Sequence, residues 1–161
     1  MEEAEIWIEM HQDGTDSMSE HLTRRAFEPD GAKGPRLASF EPDPLSGEVI
    51  GAAIEVHRVL GPGHLESAYE NALAIEFEIR GIAFERQFAL PLRYKGNDVG
   101  ESRLDFLVES ELIVELKAIE ALAPVHTAQV IAYLKTTAKK RALLINFNVP
   151  VLKQGIKRIS L

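Results

Sequence analysis

The stretch that decides the fold runs Arg103-Leu104-Asp105-Phe106-Leu107-Val108-Glu109-Ser110-Glu111-Leu112-Ile113-Val114-Glu115-Leu116-Lys117-Ala118. Two strand-like segments, 101–108 and 112–118, flank the polar residues 109–111, which predicts a β-hairpin with a three-residue connection. With Ser110 at the centre, residues whose numbers sum to about 220 face each other, so Asp105 lies opposite Glu115. The pattern therefore predicts two carboxylates held side by side on a hairpin.

Lys117 adds a cation to this pair. Strand side chains alternate with period two, so Lys117 projects on the same face as Glu115 and the intervening apolar residues fill the opposite face. Directly opposed like charges destabilise a hairpin, and a bound divalent metal ion would relieve the conflict. In the ExK element Glu115-Leu116-Lys117, the carboxylate can hold Mg²⁺ and the lysine can orient a water or meet a phosphate oxygen. The chemistry indicated is phosphodiester hydrolysis, although Glu-x-Lys pairs also occur on ordinary solvated strands.

Glu66 and Glu70 form a second acidic pair, within the run Gly63-His64-Leu65-Glu66-Ser67-Ala68-Tyr69-Glu70. They are one helical turn apart, so both can point at the sheet. The alternative is a plain surface pair of acids. Glu66 is the better candidate for a metal ligand, and Glu70 is a secondary candidate.

Gln129 and Tyr133 are four residues apart on the helix predicted after the ExK strand, and so share a face. The glutamine amide can order an attacking water or a substrate phosphate, and the tyrosine can contact a nucleic-acid strand. The alternative is an amphipathic helix with a tyrosine at the edge of the core. His126, three residues before Gln129, shares this face and is a further candidate for substrate contact.

Helices and strands are predicted on both sides of the hairpin. Ser46 is expected to cap a helix that ends near Leu60, and a second helix is expected over about 65–80. A strand over 82–94 precedes the hairpin, and a helix over 125–137 and strands over 142–147 and 156–159 follow it. The order ααβββαββ predicts an α/β fold with a mixed central sheet flanked by helices. The faces expected to be buried are Ile50, Ala53, Ile54 and His57 in the first helix and Ala68, Ala72, Ile75 and Ile79 in the second.

The chain of 161 residues contains no cysteine, which removes disulfides, zinc–thiolate sites and cysteine nucleophiles together. Any metal ion must then be held by oxygen or by histidine nitrogen. No apolar run approaches the ~20 residues that a membrane span requires, and the acidic first residues are the opposite of a basic signal-peptide start. We therefore expect a cytoplasmic protein without a membrane partner.

The net charge of −7 is distributed unevenly along the chain. Residues 1–45 hold eleven acidic and four basic residues, whereas residues 46–161 hold fourteen of each. We interpret residues 1–45, which mix acids with Gly, Pro and Ser, as a disordered acidic leader and residues 46–161 as the folded domain. Every charged residue after Glu120 is basic, so this part of the chain suits the backbone of a nucleic acid. These residues are Lys135, Lys139, Lys140, Arg141, Lys153, Lys157 and Arg158.

Several of these motifs, in this order, resemble the bacterial GxxExxY family, a branch of the PD-(D/E)XK nuclease superfamily. The resemblance spans 46–161, and the acidic leader is a departure from the family. It implies a restriction-endonuclease-like core in which Asp105 and Glu115 bind the metal, Lys117 is catalytic and Glu66 is an additional acidic residue. Gln129 and Tyr133 are similar to the QxxxY element of RecB-type nuclease domains. The residues that carry the resemblance are Gly63-x-x-Glu66-x-x-Tyr69, Arg103-Leu104-Asp105, Val114-Glu115-Leu116-Lys117-Ala118 and His126-x-x-Gln129-x-x-x-Tyr133-Leu134.

The sequence thus predicts a Mg²⁺- or Mn²⁺-dependent nuclease that acts on nucleic acid, with DNA favoured over RNA. Asp105 and Glu115 would bind the metal, with Glu66 contributing directly or through water. Lys117 and Gln129 would join them in catalysis. The substrate contacts are assigned to Tyr69, Tyr133, Lys135, Lys139 and Lys140. The alternative is a catalytically silent nucleic-acid-binding or protein-interaction module of the same fold, and a homodimer is compatible with this fold class.

Overall fold

Three α-helices and five strands are found in residues 43–161, the part of the chain that the computed structural model describes. The helices are α1 (Pro44–Leu60), α2 (Glu66–Arg80) and α3 (Pro124–Thr137), and a short 3₁₀ helix spans Leu152–Gly155. The strands are β1 (Phe84–Tyr94), β2 (Asn97–Val108), β3 (Leu112–Lys117), β4 (Arg141–Asn146) and β5 (Ile156–Ser160). Of the predicted acidic leader, residues 1–42 lie outside the described residues, Asp43 is the N-cap of α1, and 44–45 are its first two residues.

The five strands form one mixed sheet in the order β1-β2-β3-β4-β5. Neighbouring strands are antiparallel except β3 and β4, which run parallel from Leu112↔Arg141 to Lys117↔Asn146. Parallel neighbours need a crossover connection, and α3 provides it between these two strands. The predicted α/β architecture, with a mixed central sheet flanked by helices, is confirmed.

Helices cover both faces of the sheet, so β3 is buried on both sides. The helices α1 and α2 pack on one face against Phe106, Val114 and Leu116, and α3 packs on the other against Leu107 and Ile113. A strand buried on both faces is normally a continuous apolar run. In the buried stretch 112–116 a single charged residue interrupts that run, at position 115. No helix within residues 43–161 has the length and apolarity needed to span a membrane.

The first helix begins earlier than the sequence predicts. Pro44 occupies its first turn and Asp43 is the N-cap, so the assignment of Ser46 as the N-cap is wrong. Ser46 is instead buried and donates its hydroxyl to the Asp43 carboxylate. The same carboxylate pairs with Arg141 at 2.7 Å, which ties the start of α1 to the start of β4.

The predicted buried face of α2 is wrong. Ile75 and Ile79 are 57% and 73% exposed, and in α1 the predicted core residue Ile54 is also exposed. Two apolar series run along α2, and the one with the larger, partly aromatic side chains faces the sheet because it removes more apolar area from water. This buried series is Tyr69, Leu73 and Phe77.

The β1–β2 hairpin is longer than predicted, because β2 begins at Asn97 directly after a two-residue turn. The turn residues Lys95 and Gly96 have positive φ angles of 50° and 84°, as a type I′ turn requires. β2 pairs with β3 only over Phe106–Val108, so the rest of the β1–β2 hairpin extends past β3 as a two-stranded ribbon. Asp105 lies where this ribbon leaves the sheet.

Candidate active site

Asp105 is held between β2 and β3 at the point where the two strands separate. The last backbone pair is Phe106↔Val114, and beyond it Oδ2 of Asp105 accepts the backbone N–H of Leu116 at 2.7 Å. A side-chain carboxylate thus takes the place of a strand carbonyl. The paired residues sum to 220, the register that the sequence predicts, and this register brings Asp105 beside Glu115.

Glu115 is a buried carboxylate with one satisfied oxygen. Its side chain is 4% exposed, and Oε1 accepts a hydrogen bond from Nζ of Lys117 at 2.8 Å. Its other oxygen, Oε2, is buried and has no hydrogen-bond partner among residues 43–161. Burial, followed by the charge of Asp105, raises the pKa of Glu115 to about 7. The carboxylate is therefore poorly stabilised as an anion in the protein alone.

Lys117 is held in its protonated form beside this carboxylate. Burial acts to lower the pKa of Lys117, but the hydrogen bond and charge of Glu115 outweigh it and raise the pKa above its ordinary value. Nζ also donates to the backbone carbonyl of Leu116 at 2.9 Å. Two acceptors thus orient the ammonium group, which can donate hydrogen bonds but cannot serve as a base.

The donor set fits a hard divalent cation bound by two carboxylates. Burial raises the pKa of Asp105, and the charges of Glu66 and Glu70 add to this, against the lowering by the Leu116 N–H and by Lys117. Among residues 43–161 no three His, Cys, Asp or Glu side chains are close enough to hold a metal ion together. Mg²⁺ keeps several waters and needs only one or two carboxylates. Glu66 therefore acts on this centre through its charge and is not placed as a third direct ligand.

Gln129 and Tyr133 interact with each other on the face of α3 that meets the sheet. Nε2 of Gln129 donates to the Tyr133 hydroxyl at 2.7 Å, and Tyr133 is 7% exposed. Burial raises the pKa of the tyrosine, and the charge of Glu115 contributes. Gln129 and Tyr133 therefore share a face of α3, as predicted. The charges of Glu115 and Asp105 act on Tyr133, so this face is near the two carboxylates.

Tyr69 is a core residue, so in this structure its side chain is not available for the predicted contact with substrate. Its side chain is 0% exposed. The hydroxyl donates to the Gly61 carbonyl at 2.7 Å and accepts the His64 N–H at 3.1 Å. The ring stacks on Phe147 with centroids 4.5 Å apart. Tyr69 therefore joins the glycine-rich loop before α2 to the core and leaves no surface to a ligand.

His126 and Glu70, the two secondary candidates, have local partners. Nδ1 of His126 accepts the backbone N–H of Ala123 at 2.9 Å and so caps the start of α3. Glu70 forms an ion pair with Arg86 at 2.9 Å and accepts Nε2 of Gln87 at 3.0 Å. Glu70 therefore supports the site from α2 through its neighbours on β1.

Lys139 and Lys140 lie at the opposite end of the sheet from Lys117, just before β4. Glu115 pairs with Leu144, so Lys140 is four residues, or about 13 Å, away along the strand. Both lysines line a surface cleft of about 570 Å³ beside the β2–β3 turn. Lys135 is exposed in the last turn of α3, whereas Arg141 is engaged by Asp43 and Glu111. Lys139 and Lys140 are thus separate from the pair formed by Asp105 and Glu115.

Asn146 is a supporting residue that the sequence analysis missed. It is 2% exposed, and its amide donates to the Ile119 carbonyl at 2.8 Å and accepts the Ile119 N–H at 3.1 Å. It also pairs in register with Lys117. The side chain continues the sheet past the end of β3 and so fixes the position of Lys117. An asparagine at the end of a buried apolar strand is the only sequence signal for this role.

A family model described as the PD-(D/E)XK nuclease superfamily matches residues 43–159. The match begins at the N-cap of α1 and ends in β5, so it covers nearly the whole described fold. It confirms the restriction-endonuclease-like core. The match is to the superfamily, and the resemblance to its GxxExxY branch stays a prediction. No curated protein and no solved structure gives a significant match to the chain.

Proposed function

We propose that this chain, which belongs to the PD-(D/E)XK nuclease superfamily, hydrolyses phosphodiester bonds of nucleic acid with the help of Mg²⁺ or Mn²⁺. The observation that carries the proposal is the buried, unpaired Oε2 atom of Glu115 beside the Asp105 carboxylate. Burying an unpaired polar atom is costly, and so is placing two carboxylates together. A bound cation would satisfy the oxygen and neutralise the pair, so the arrangement favours a protein that binds a metal ion.

Asp105 and Glu115 would hold the metal ion, with Glu66 adding negative charge nearby. When bound, a divalent ion supplies Lewis acidity toward a phosphate oxygen and promotes ionisation of water. The Leu116 N–H orients Asp105, and Lys117 orients Glu115 through its Oε1 atom. These two contacts leave Oδ1 of Asp105 and Oε2 of Glu115 as the oxygens suited to a cation.

Lys117 would act as a donor toward the phosphate. Its raised pKa keeps it protonated at neutral pH, so it can stabilise negative charge that develops on the phosphate or position the attacking water. Gln129 donates to the oxygen of Tyr133, so the tyrosine keeps its own proton for a substrate oxygen. Lys135, Lys139 and Lys140 would contact backbone phosphates away from the cleaved bond.

The test is cleavage of labelled single- and double-stranded DNA and RNA in Mg²⁺, Mn²⁺ or EDTA. DNA is the expected substrate. The variants are Asp105→Asn and Lys117→Met, and the matched control is Asp98→Asn at the far end of the β1–β2 hairpin. We expect metal-dependent cleavage by the wild type and the control, and a loss of about 100-fold or more in the two site variants.

The contrary result is a folded wild-type protein that cuts none of these substrates with either metal. If that protein still bound nucleic acid equally well in EDTA, the fold would serve as a binding module. Cleavage that survived in Asp105→Asn would place the metal site elsewhere in the chain.

A further inference from the structure

Gln87 lies directly across from Asp105 on the neighbouring strand. The pairs on either side, Arg86↔Phe106 and Phe88↔Leu104, are in register, but Gln87 and Asp105 between them do not pair. Gln87 has a φ of 50°, in the left-handed region that residues other than glycine seldom occupy. The ladder is therefore interrupted at the one position of β1 that faces the active-site aspartate.

The side-chain amide of Gln87 bridges two carboxylates. Its Nε2 donates to Oε1 of Glu70 at 3.0 Å and to Oδ1 of Asp105 at 3.4 Å. A primary amide carries two N–H groups, so each carboxylate can take one of them. Because Oδ2 of Asp105 already accepts the Leu116 N–H, both oxygens of that carboxylate have a donor. At 3.4 Å the bond to Oδ1 is longer and weaker than the bond to Oδ2, and a carboxylate oxygen has a second lone pair that a cation could use.

Glu70 is itself held in place. Nε of Arg86 donates to Glu70 at 2.9 Å, and the same guanidinium donates to Asn71 at 2.7 Å. This network joins α2 to β1 and presents Glu70 to the Gln87 amide. Strained backbone persists where surrounding contacts hold it, and it concentrates at functional sites.

We propose that Gln87 is a positioning residue: its amide, anchored by Glu70, orients the Asp105 carboxylate for the divalent ion. The inference rests on the proposed function and adds a supporting contact that no sequence motif marks. Partners that orient metal ligands typically change metal affinity or activity by 10–100-fold when they are removed.

The test separates the amide from the backbone conformation that carries it. Gln87→Gly keeps the positive φ without strain and removes the amide, whereas Gln87→Asn tolerates the positive φ and shortens the reach by one methylene. Lys95→Gly is the matched control, since it also introduces a glycine at a position with a φ of 50°, in the β1–β2 turn. Mn²⁺ affinity of the full chain without nucleic acid is measured by calorimetry, beside thermal unfolding without metal.

We expect Mn²⁺ to bind about 10-fold more weakly to Gln87→Gly and to Gln87→Asn, and as in the wild type to Lys95→Gly. Without metal, we expect Gln87→Gly to unfold at a temperature no lower than the wild type. Cleavage should also fall in the two Gln87 variants and stay at the wild-type level in Lys95→Gly. Wild-type Mn²⁺ affinity in both Gln87 variants would overturn the inference and leave the nuclease proposal standing. A wild-type protein that binds no Mn²⁺ and cuts nothing would overturn the nuclease proposal and the inference together.

Discussion

Glu115 makes the stability of the metal-free protein depend on pH. Its pKa rises from 4.5 to about 7 on folding, so between these values the folded state keeps a proton that the unfolded state has released. Stability falls with rising pH wherever the folded state binds more protons. The free energy of unfolding should therefore decrease from about pH 4.5 to about pH 7 because of this carboxyl group.

Glu115→Gln removes that dependence, because an amide does not titrate in this range. The unfolding free energy of the variant relative to the wild type should rise by up to about 3 kcal/mol between pH 5 and pH 8. Denaturant unfolding in EDTA at several pH values measures it. Replacement of the exposed Glu120 by glutamine is the control. Its free energy of unfolding, plotted against pH, should run parallel to that of the wild type. A parallel curve for Glu115→Gln as well would mean that Glu115 titrates normally.

At the residue scale, the carboxylate pair can be predicted from the sequence, but the contact that Gln87 makes with Asp105 cannot. A three-residue turn sets the register of a hairpin, and this places Asp105, Glu115 and Lys117 together. Gln87 cannot be found in this way, because a register shift between Leu92 and Arg93 displaces the β1–β2 pairing by one residue. Its positive φ is also invisible in the sequence, since glutamine has no preference for that conformation.

Among the elements, the end of β3 depends on Asn146. Its amide satisfies both backbone groups of Ile119, which would otherwise be left without these partners near the core. Asn146→Ala should lower the unfolding free energy by about 2–4 kcal/mol. The variant should also cleave more slowly than its loss of folded protein explains. The reason is that Asn146 holds Ile119, and Lys117 is only two residues before Ile119. Unfolding curves measure the first effect, and cleavage rates under conditions where the variant is fully folded measure the second. Replacement of the partly exposed Asn148 by alanine is the control.

Gly155 in the 3₁₀ helix and Gly47 in α1 should respond oppositely to substitution by alanine. A Cβ on Gly155 would lie 2.1 Å from the backbone oxygen of Asn146, whereas one on Gly47 would meet nothing within 4 Å. Gly155→Ala should therefore destabilise the protein by more than about 2 kcal/mol. Gly47→Ala, in the exposed part of a helix, should stabilise it by about 1 kcal/mol. Thermal unfolding of the two variants decides this, and equal melting temperatures would contradict it.

The order and type of the helices and strands can be predicted from hydrophobic periodicity and turn residues. The buried face of α2 cannot be predicted in this way. Both the Ile75–Ile79 series and the Tyr69–Phe77 series have helical spacing, so the sequence allows either to face the sheet. The choice is made by packing, because Tyr69 stacks on Phe147, just after β4, and Phe77 meets Phe106 of β2 edge to face. Such partners are distant in sequence, and no local pattern reports them.

Across the whole domain, charge is separated between the two parts of the chain. Residues 46–120 hold fourteen acidic and seven basic residues, whereas residues 121–161 hold seven basic residues and no acid. The second group belongs to α3, β4 and β5 and the segments that join them, and β4 and β5 form the side of the sheet away from β1 and β2. A polyanion would therefore be attracted to that side, although the net charge of the chain is −7.

This separation predicts how binding responds to salt. The Asp105→Asn background is used because its cleavage is expected to be lost. In that background, replacing Lys139 and Lys140 by Gln should reduce the slope of log affinity against log salt by about 1.8 on duplex DNA, or about 0.9 for each lost phosphate contact. Arg58→Gln is the control, since Arg58 is on α1, which packs on the opposite face of the sheet, and already pairs with Glu55. Titrations at four salt concentrations measure the slopes. An unchanged slope in the lysine variant would show that the substrate does not cross the cleft beside the β2–β3 turn.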